Sequence, residues 1–156
     1  MTASQPTPNA QFSALLSRFA PGIVALAKRC LLRLRRAFPG ANQLVYDYSN
    51  SLVVSFGMSE RGYEAIAAVA IFPRWVRLYF DKSVPDPKGL LEGSGGKVRS
   101  VTLKSAAELE RADVQALIDA AVKHAGITAP PKRSTRTIIK SAPKKSASAR
   151  AGRKSR

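Results

Sequence analysis

The chain has 156 residues, enough for one domain with tails and too few for two ordinary domains. Hydrophobic residues make up 45% of it, and 26 Lys and Arg against 10 Asp and Glu give a formal net charge of +16. This balance favours polyanionic partners. One Cys and one His exclude a disulfide framework, a zinc finger and a thiolate-held cluster. No apolar run reaches the ~18 residues of a membrane helix, so we expect no membrane partner.

The positive charge is concentrated at the C-terminus. The segment 130–156 holds ten Lys and Arg and no Asp or Glu in 27 residues. Because it has little apolar surface to offset the entropy of ordering, we predict that residues 128–156 form a disordered tail. Thr137 to Ile139 is the apolar stretch of this tail, and it can add to a sheet edge. Residues 1–10, which contain Pro6 and Pro8, are also predicted to be disordered.

Residues 11–127 are predicted to form one domain with helices at both ends. Apolar spacing over 12–19 predicts a short helix, and Pro21 suits the first turn of a second helix that Pro39-Gly40 ends. Ser105 and Glu108 fit a capping box that begins the last helix. Four segments are predicted strands, by alternation or by continuous apolar character: 51–56, 65–72, 75–80 and 98–104. The predicted fold is α+β, a two-layer structure in which N- and C-terminal helices cover an antiparallel sheet of four to five strands.

Several short matches, in one order from Ile23 to Ala125, resemble a known family. They are Pro39-Gly40-Ala41, Tyr46-Asp47, Ser59-Glu60-Arg61, Pro73-Arg74-Trp75-Val76, Asp86-Pro87, Leu90-Leu91, Gly93-Ser94-Gly95, Arg99, Leu103 and Leu117-Ile118. In these residues the chain resembles the YdhG-like domains of unknown function, which are distantly similar to frataxin in shape. The resemblance implies the order helix, antiparallel sheet, helix, and it implies no activity because the family has no settled one.

Some relatives in that family are described as iron-handling by analogy with frataxin, whose iron binding uses an acidic first helix. The segment from Ala10 to Phe38 contains no Asp or Glu and six Lys and Arg. Frataxin-like iron handling is therefore the least favoured function for this chain. No metal site and no cofactor is predicted.

The basic tail carries the strongest functional signal. Cations on a flexible chain displace counterions from nucleic acid, and without a base-reading motif such binding is independent of sequence. We therefore expect a cytoplasmic or nucleoid-associated protein that binds DNA or RNA. A solubilising tail with no dedicated partner is the alternative. The tail cations are Lys132, Arg133, Arg136, Lys140, Lys144, Lys145, Arg150, Arg153, Lys154 and Arg156.

A second hypothesis places a small-molecule or anion pocket around Arg99. Arg99 shares the parity of Val101 and Leu103, so it points toward the helix-covered side, where a guanidinium needs a carboxylate partner. A structural ion pair that fixes the Gly-rich loop is the alternative. The candidate residues of this pocket are Asp47, Tyr48, Glu60, Arg61, Arg74, Asp86 and Arg99.

Trp75, Arg77 and Tyr79 share one face of a predicted strand. Such a face can stack nucleic-acid bases, or it can reflect ordinary cross-strand packing. Because neither an RNP-like sequence nor a second aromatic strand is evident, we interpret it as packing.

The sequence gives little support for catalysis. His124 stands alone near a helix end, Cys30 lies on an apolar stripe, and no serine nucleophile elbow is present. We therefore expect a non-catalytic binding module.

Overall fold

The computed structural model describes residues 6–59, 65–81, 83–86, 89, 91, 98–125 and 136–140. Within these residues, four helices and one six-stranded sheet form two layers. The helices are α1 (Pro8–Leu16), α2 (Pro21–Ala37), α3 (Ala106–Leu109) and α4 (Ala112–Ala125). The strands are β1 (Asn42–Asp47), β2 (Leu52–Gly57), β3 (Ala67–Ile71), β4 (Val76–Asp81), β5 (Val98–Leu103) and β6 (Arg136–Lys140). The predicted α+β class is confirmed.

Capping residues set the bounds of the N-terminal helices. The Thr7 hydroxyl accepts a hydrogen bond from the Ala10 N–H at 3.1 Å, and Pro8 occupies the first turn of α1. Residues 8–10, predicted to be disordered, are therefore helical, because the cap and the proline both favour a helix start there. Pro21 begins α2 as predicted, and Gly40, with a φ of 77°, reverses the chain after it. None of the described helices is long and apolar enough to cross a membrane.

The C-terminal helix of the prediction is two helices. The capping box is confirmed, because the Ser105 hydroxyl accepts from the Glu108 N–H at 3.4 Å and the Glu108 carboxylate accepts from the Lys104 N–H. The helix is then interrupted between Leu109, where α3 ends, and Ala112, where α4 begins. The Gln115 side-chain amide donates to the Leu109 carbonyl at 2.7 Å, which satisfies a carbonyl left open at the end of α3.

The sheet is mixed and not purely antiparallel. Its strand order is β5-β4-β3-β2-β1-β6, in which β1 to β5 form an antiparallel meander and β6 pairs with β1 in parallel. The prediction of an antiparallel sheet of four to five strands is corrected by β6. Residues 136–140 of the predicted tail form β6, in agreement with the expectation that Thr137 to Ile139 can add to a sheet edge. Ile139 packs against the core, and the Thr137 hydroxyl accepts a hydrogen bond from the Gln43 amide at 2.9 Å.

One face of the sheet packs against the helices, and we call it the helix-covered face. Its apolar residues form a single core with buried residues from all four helices, among them Phe12, Leu34, Leu109 and Ile118. The sheet contributes Val45, Leu52, Val54, Phe56, Ala67, Val69, Ile71, Val76, Leu78, Phe80, Val101 and Leu103 to that core. The residues of opposite parity form the second face, and none of them belongs to this core.

Candidate nucleic-acid interface

The second face is aligned by the register of the six strands. One row of directly paired residues crosses the whole sheet at the level of Tyr46, with Lys140 at one end and Thr102 at the other. The residues of this row, from β6 to β5, are Lys140, Tyr46, Val53, Ala70, Arg77 and Thr102. Tyr79 lies in the next row toward the opposite end of the sheet, paired with Ala68 and Ser100.

Four rings gather at the hairpin end of the second face, and we call them the aromatic patch: Tyr46, Tyr48, Phe72 and Trp75. Tyr48 begins the turn between β1 and β2, where its N–H donates to the Ser51 carbonyl at 2.9 Å. Phe72 and Trp75 flank the turn between β3 and β4, with an N–H to carbonyl distance of 2.9 Å and ring centroids 6.4 Å apart. All four residues are half-buried. Two tight turns therefore bring rings from three strands to one end of the sheet.

Arg77 is held against this patch. Its guanidinium carbon lies 6.0 Å from the ring centroids of both Phe72 and Trp75, within the range of a cation–π contact. Its Nε donates to the Thr102 hydroxyl across the strand pair at 3.1 Å. The positive charge of Arg77 is thus fixed beside two rings.

The tyrosines of the patch lie close to each other. Burial raises the pKa of Tyr46, and burial followed by the neighbouring Tyr46 raises the pKa of Tyr48. Both hydroxyls are therefore neutral hydrogen-bonding groups at physiological pH. Asp81 is the acidic residue among the described members of this face, and its carboxylate accepts from the Ser83 N–H at 3.0 Å and from the Ser83 hydroxyl. Arg77, Arg136 and Lys140 give the face an excess of positive charge.

A buried glutamine ties β6 to the rest of the protein. Gln43 is 2% exposed; its Oε1 accepts from Arg35 Nε at 2.7 Å, and its Nε2 donates to the Thr137 hydroxyl at 2.9 Å. This bridge links α2, β1 and β6.

β6 also packs near α1, with a groove of about 600 Å³ between them. The groove is lined by Pro6, Ala10, Gln11, Ala14, Leu15, Asp47, Ile139 and Lys140.

The structure brings two of the predicted tail cations to the second face. The register pairs Arg136 with Asn42 and Lys140 with Tyr46. The other tail cations lie outside the described residues: Lys132, Arg133, Lys144, Lys145, Arg150, Arg153, Lys154 and Arg156. Lys140, which precedes the last six cations of the sequence, therefore lies beside Tyr46 of the aromatic patch.

The predicted pocket around Arg99 is not assembled by the described residues. Asp47, Tyr48 and Arg74 lie at the hairpin end of the sheet, where the Asp47 carboxylate is 2.8 Å from Arg18 Nη2 and Arg74 is exposed in a turn. Asp47 pairs with Leu52 in β2. Both Asp47 and Arg74 therefore lie at the hairpin end of the sheet, far from Arg99.

Arg99 and Asp86 lie at the opposite end of the sheet. Arg99 pairs with Phe80 on the helix-covered face, as predicted, and donates to the Val84 carbonyl at 3.4 Å. Asp86 accepts from the Leu91 N–H at 2.8 Å, in the loop that contains Val84. Because β5 and β1 are four strand intervals apart, about 19 Å separates Arg99 from the Asp47 strand in the plane of the sheet. Glu60 and Arg61 lie outside the described residues.

A serine, a histidine and an aspartate meet at the end of β4. The Ser83 hydroxyl donates to the Asp81 carboxylate, and the ring nitrogen Nε2 of His124 is 2.9 Å from the same hydroxyl oxygen. Both the Asp81 carboxylate and the His124 ring contact the Ser83 hydroxyl, so the serine is the middle member of this cluster. In a catalytic triad the histidine is the middle member, held by the carboxylate and accepting the proton of the serine. The cluster therefore ties the C-terminal end of α4 to the sheet.

The remaining chemistry-bearing groups offer no metal or thiol site. Cys30 is fully buried, and burial raises the pKa of its thiol to about 12, so it is an inert core residue as predicted. Within the described ranges, His, Cys, Asp and Glu side chains form no group of three that could hold a metal ion.

Sequence reasoning missed β1, and with it the second aromatic strand. The signal was present, since Leu44, Tyr46 and Tyr48 alternate with polar or smaller residues directly after the Pro39-Gly40 turn. Tyr46 and Tyr48 share the second face with Trp75 and Arg77, as the register shows. A second aromatic strand is therefore present beside Trp75 and Arg77, which removes one of the two grounds for interpreting them as packing.

Comparison with known proteins gives no match from which a function of this site could be inferred. No family model, no curated protein and no solved structure matches the chain. The resemblance to the YdhG-like family stays a prediction, and the functional assignment rests on the geometry of the second face and on the charge of the chain.

Proposed function

We propose that the protein is a non-catalytic module that binds nucleic acid without sequence preference. The cationic C-terminal segment supplies most of the attraction, and the second face of the sheet supplies the folded surface beside it. The observation that carries the proposal is the position of β6, which lies within the basic segment 130–156 and pairs Lys140 with Tyr46. A cytoplasmic or nucleoid-associated location is part of this proposal.

Electrostatics support a polyanionic partner. Ten of the 26 Lys and Arg fall in the last 27 residues, which contain no Asp or Glu. Each cation that neutralises a phosphate releases a counterion, so binding weakens steeply with salt. The Arg77 guanidinium adds a fixed cation with its neighbouring rings. These features make contacts to phosphates and to ring faces, and neither contact reads a base sequence.

The test compares two full-length variants with equal charge. In the first, five cations beyond β6 are replaced by Gln: Lys144, Lys145, Arg150, Arg153 and Lys154. In the control, five exposed cations of the helices and of the end of β5 are replaced by Gln: Lys28, Arg29, Arg36, Lys104 and Lys123. Fluorescence anisotropy with labelled DNA at several salt concentrations gives the slope of log K against log salt.

We expect the tail variant to lose up to about 4 units of that slope on duplex DNA, since each neutralised phosphate contributes about 0.9. The control variant keeps the slope of the wild type to within about one unit. Equal losses in both variants would show that net charge alone is responsible. Absence of binding by the wild type at low salt would refute the proposed function itself.

A further inference from the structure

We infer that the preferred ligand is single-stranded nucleic acid, with its bases stacked on the aromatic patch. This inference rests on the proposed function and names the form of nucleic acid that the second face accepts. It does not follow from the basic segment, which attracts duplex and single strand alike.

The distribution of aromatic residues supports it. Four phenylalanines are buried in the core beneath the helices: Phe12, Phe38, Phe56 and Phe80. The described tyrosines and the tryptophan all lie outside that core and are half-buried: Tyr46, Tyr48, Trp75 and Tyr79. Because these residues are half-buried, part of each ring surface is accessible, whereas the indole Nε1 of Trp75 is itself buried. Such rings are the sequence-tolerant platform that single-strand binders use.

The middle of the second face forms a low floor between these rings. Val53 and Ala70 stand between Tyr46 on β1 and Arg77 on β4, in the same row of the sheet. Three strand intervals separate Tyr46 from Arg77, about 14 Å. Ala70 is 1% exposed and Val53 is half-buried, so the surface that bases can reach is that of the half-buried rings and not that of this floor.

Positive charges along the same row are complementary to the phosphates of a nucleic-acid strand. Lys140 stands at the β6 margin and Arg77 at the β4 margin, with Tyr46 between them. Arg74 is exposed in the turn that joins Phe72 to Trp75. Cations that flank rings match a strand whose phosphates and bases alternate. A duplex keeps its bases stacked inside and presents phosphates and base edges, so it gains nothing from the ring faces.

The test measures the affinity of the full chain for two forms of DNA, one single-stranded and one double-stranded. The probes are an oligo(dT) of about 20 nucleotides, longer than the ~4–16 that one single-strand module covers, and the matching dA·dT duplex. Trp75 is the single tryptophan of the chain, so its intrinsic fluorescence reports on the patch without labelling. We expect oligo(dT) to quench Trp75 and the duplex to leave it unchanged.

Paired substitutions separate ring stacking from other roles of the tyrosines. Replacing both Tyr46 and Tyr48 by Leu removes the rings, and replacing both by Phe keeps them while removing the hydroxyls. We expect Tyr46→Leu/Tyr48→Leu to weaken oligo(dT) binding at least about five-fold, as loss of one stacked base does, and to leave duplex binding unchanged. The Phe pair binds oligo(dT) like the wild type. Circular dichroism on each variant verifies that the fold is retained.

The outcomes distinguish the inference from the proposed function. Equal affinity for both DNA forms, no response of Trp75, or equal loss by the Leu pair on duplex and oligo(dT) overturns the single-strand inference and leaves the proposed function standing. Failure of both DNA forms to bind at low salt refutes the proposed function.

Discussion

Replacing Gln43 by Ala tests how β6 is held to the sheet. Gln43 is almost completely buried and makes two side-chain hydrogen bonds, one from Arg35 Nε at 2.7 Å and one to the Thr137 hydroxyl at 2.9 Å. The substitution removes both and leaves the half-buried Arg35 without this acceptor. It therefore disconnects β6 from α2.

The expected cost follows from these two bonds. A hydrogen bond to a charged group contributes about 1.5–3 kcal/mol and a neutral one about 1 kcal/mol. The sum predicts that Gln43→Ala lowers the free energy of unfolding by about 2–4 kcal/mol. With the usual dependence of stability on urea, the midpoint of unfolding falls by about 1–2 M.

Urea unfolding followed by Trp75 fluorescence measures the stability, and hydrogen exchange measures the protection of the β6 amides. We expect faster exchange over Thr137–Lys140 in Gln43→Ala than in the wild type. Gln43→Glu is the matched control, because its carboxylate still accepts from Arg35 and from the Thr137 hydroxyl, so β6 stays protected at neutral pH. Wild-type stability and wild-type β6 protection in Gln43→Ala would refute the reasoning.

Three further predictions concern the patch, the core and a helix cap. Burial raises the pKa of Tyr46 and Tyr48 above the ordinary value of 10.0, so their contribution to stability is complete below about pH 10 and is lost as pH rises further. An absorbance titration of the tyrosines therefore shows ionisation at higher pH than in a free tyrosine. Tyr46→Phe lowers the pH at which Tyr48 is half-ionised, because Tyr46 contributes to the raised pKa of Tyr48. A thiol reagent modifies Cys30 only on the timescale of unfolding, whereas rapid reaction in the native protein would contradict its burial. Ser105→Ala costs about 1 kcal/mol and lowers Tm by about 2–4 °C, while Ser105→Asp retains the cap; equal melting of all three proteins would exclude that role.

Local patterns predicted most of the fold. Pro21, the capping box at Ser105 and the alternation of β2 and β4 act within a few residues of chain, and each produced the expected element. The class of the fold followed from their order. The apolar stretch Thr137 to Ile139 indicated an added edge strand within a tail of disordered composition, but the parallel pairing of β6 depends on a partner far away in sequence that no local pattern identifies.

The candidate site was harder to predict because it depends on which strands are neighbours. Tyr46 and Arg77 are brought into one row only by the pairings through β2 and β3. The pocket proposed around Arg99 had the opposite difficulty. Its residues are compatible by charge, and the sheet order places Asp47 and Arg99 on strands that are far apart. Charge type alone carries no information about such distances.

The pairing of β6 with β1 has a consequence for how the protein is made. The hydrogen bond between Gln43 and Thr137 joins residues 94 positions apart, whereas β1 to β5 are connected as successive neighbours. Contacts of such long sequence separation are slow to form, and domains fold in the order of synthesis. We therefore expect the outer edge of Asn42–Asp47 to stay uncovered until residues 136–140 have left the ribosome. During that interval this edge is the place where two immature copies would join and aggregate.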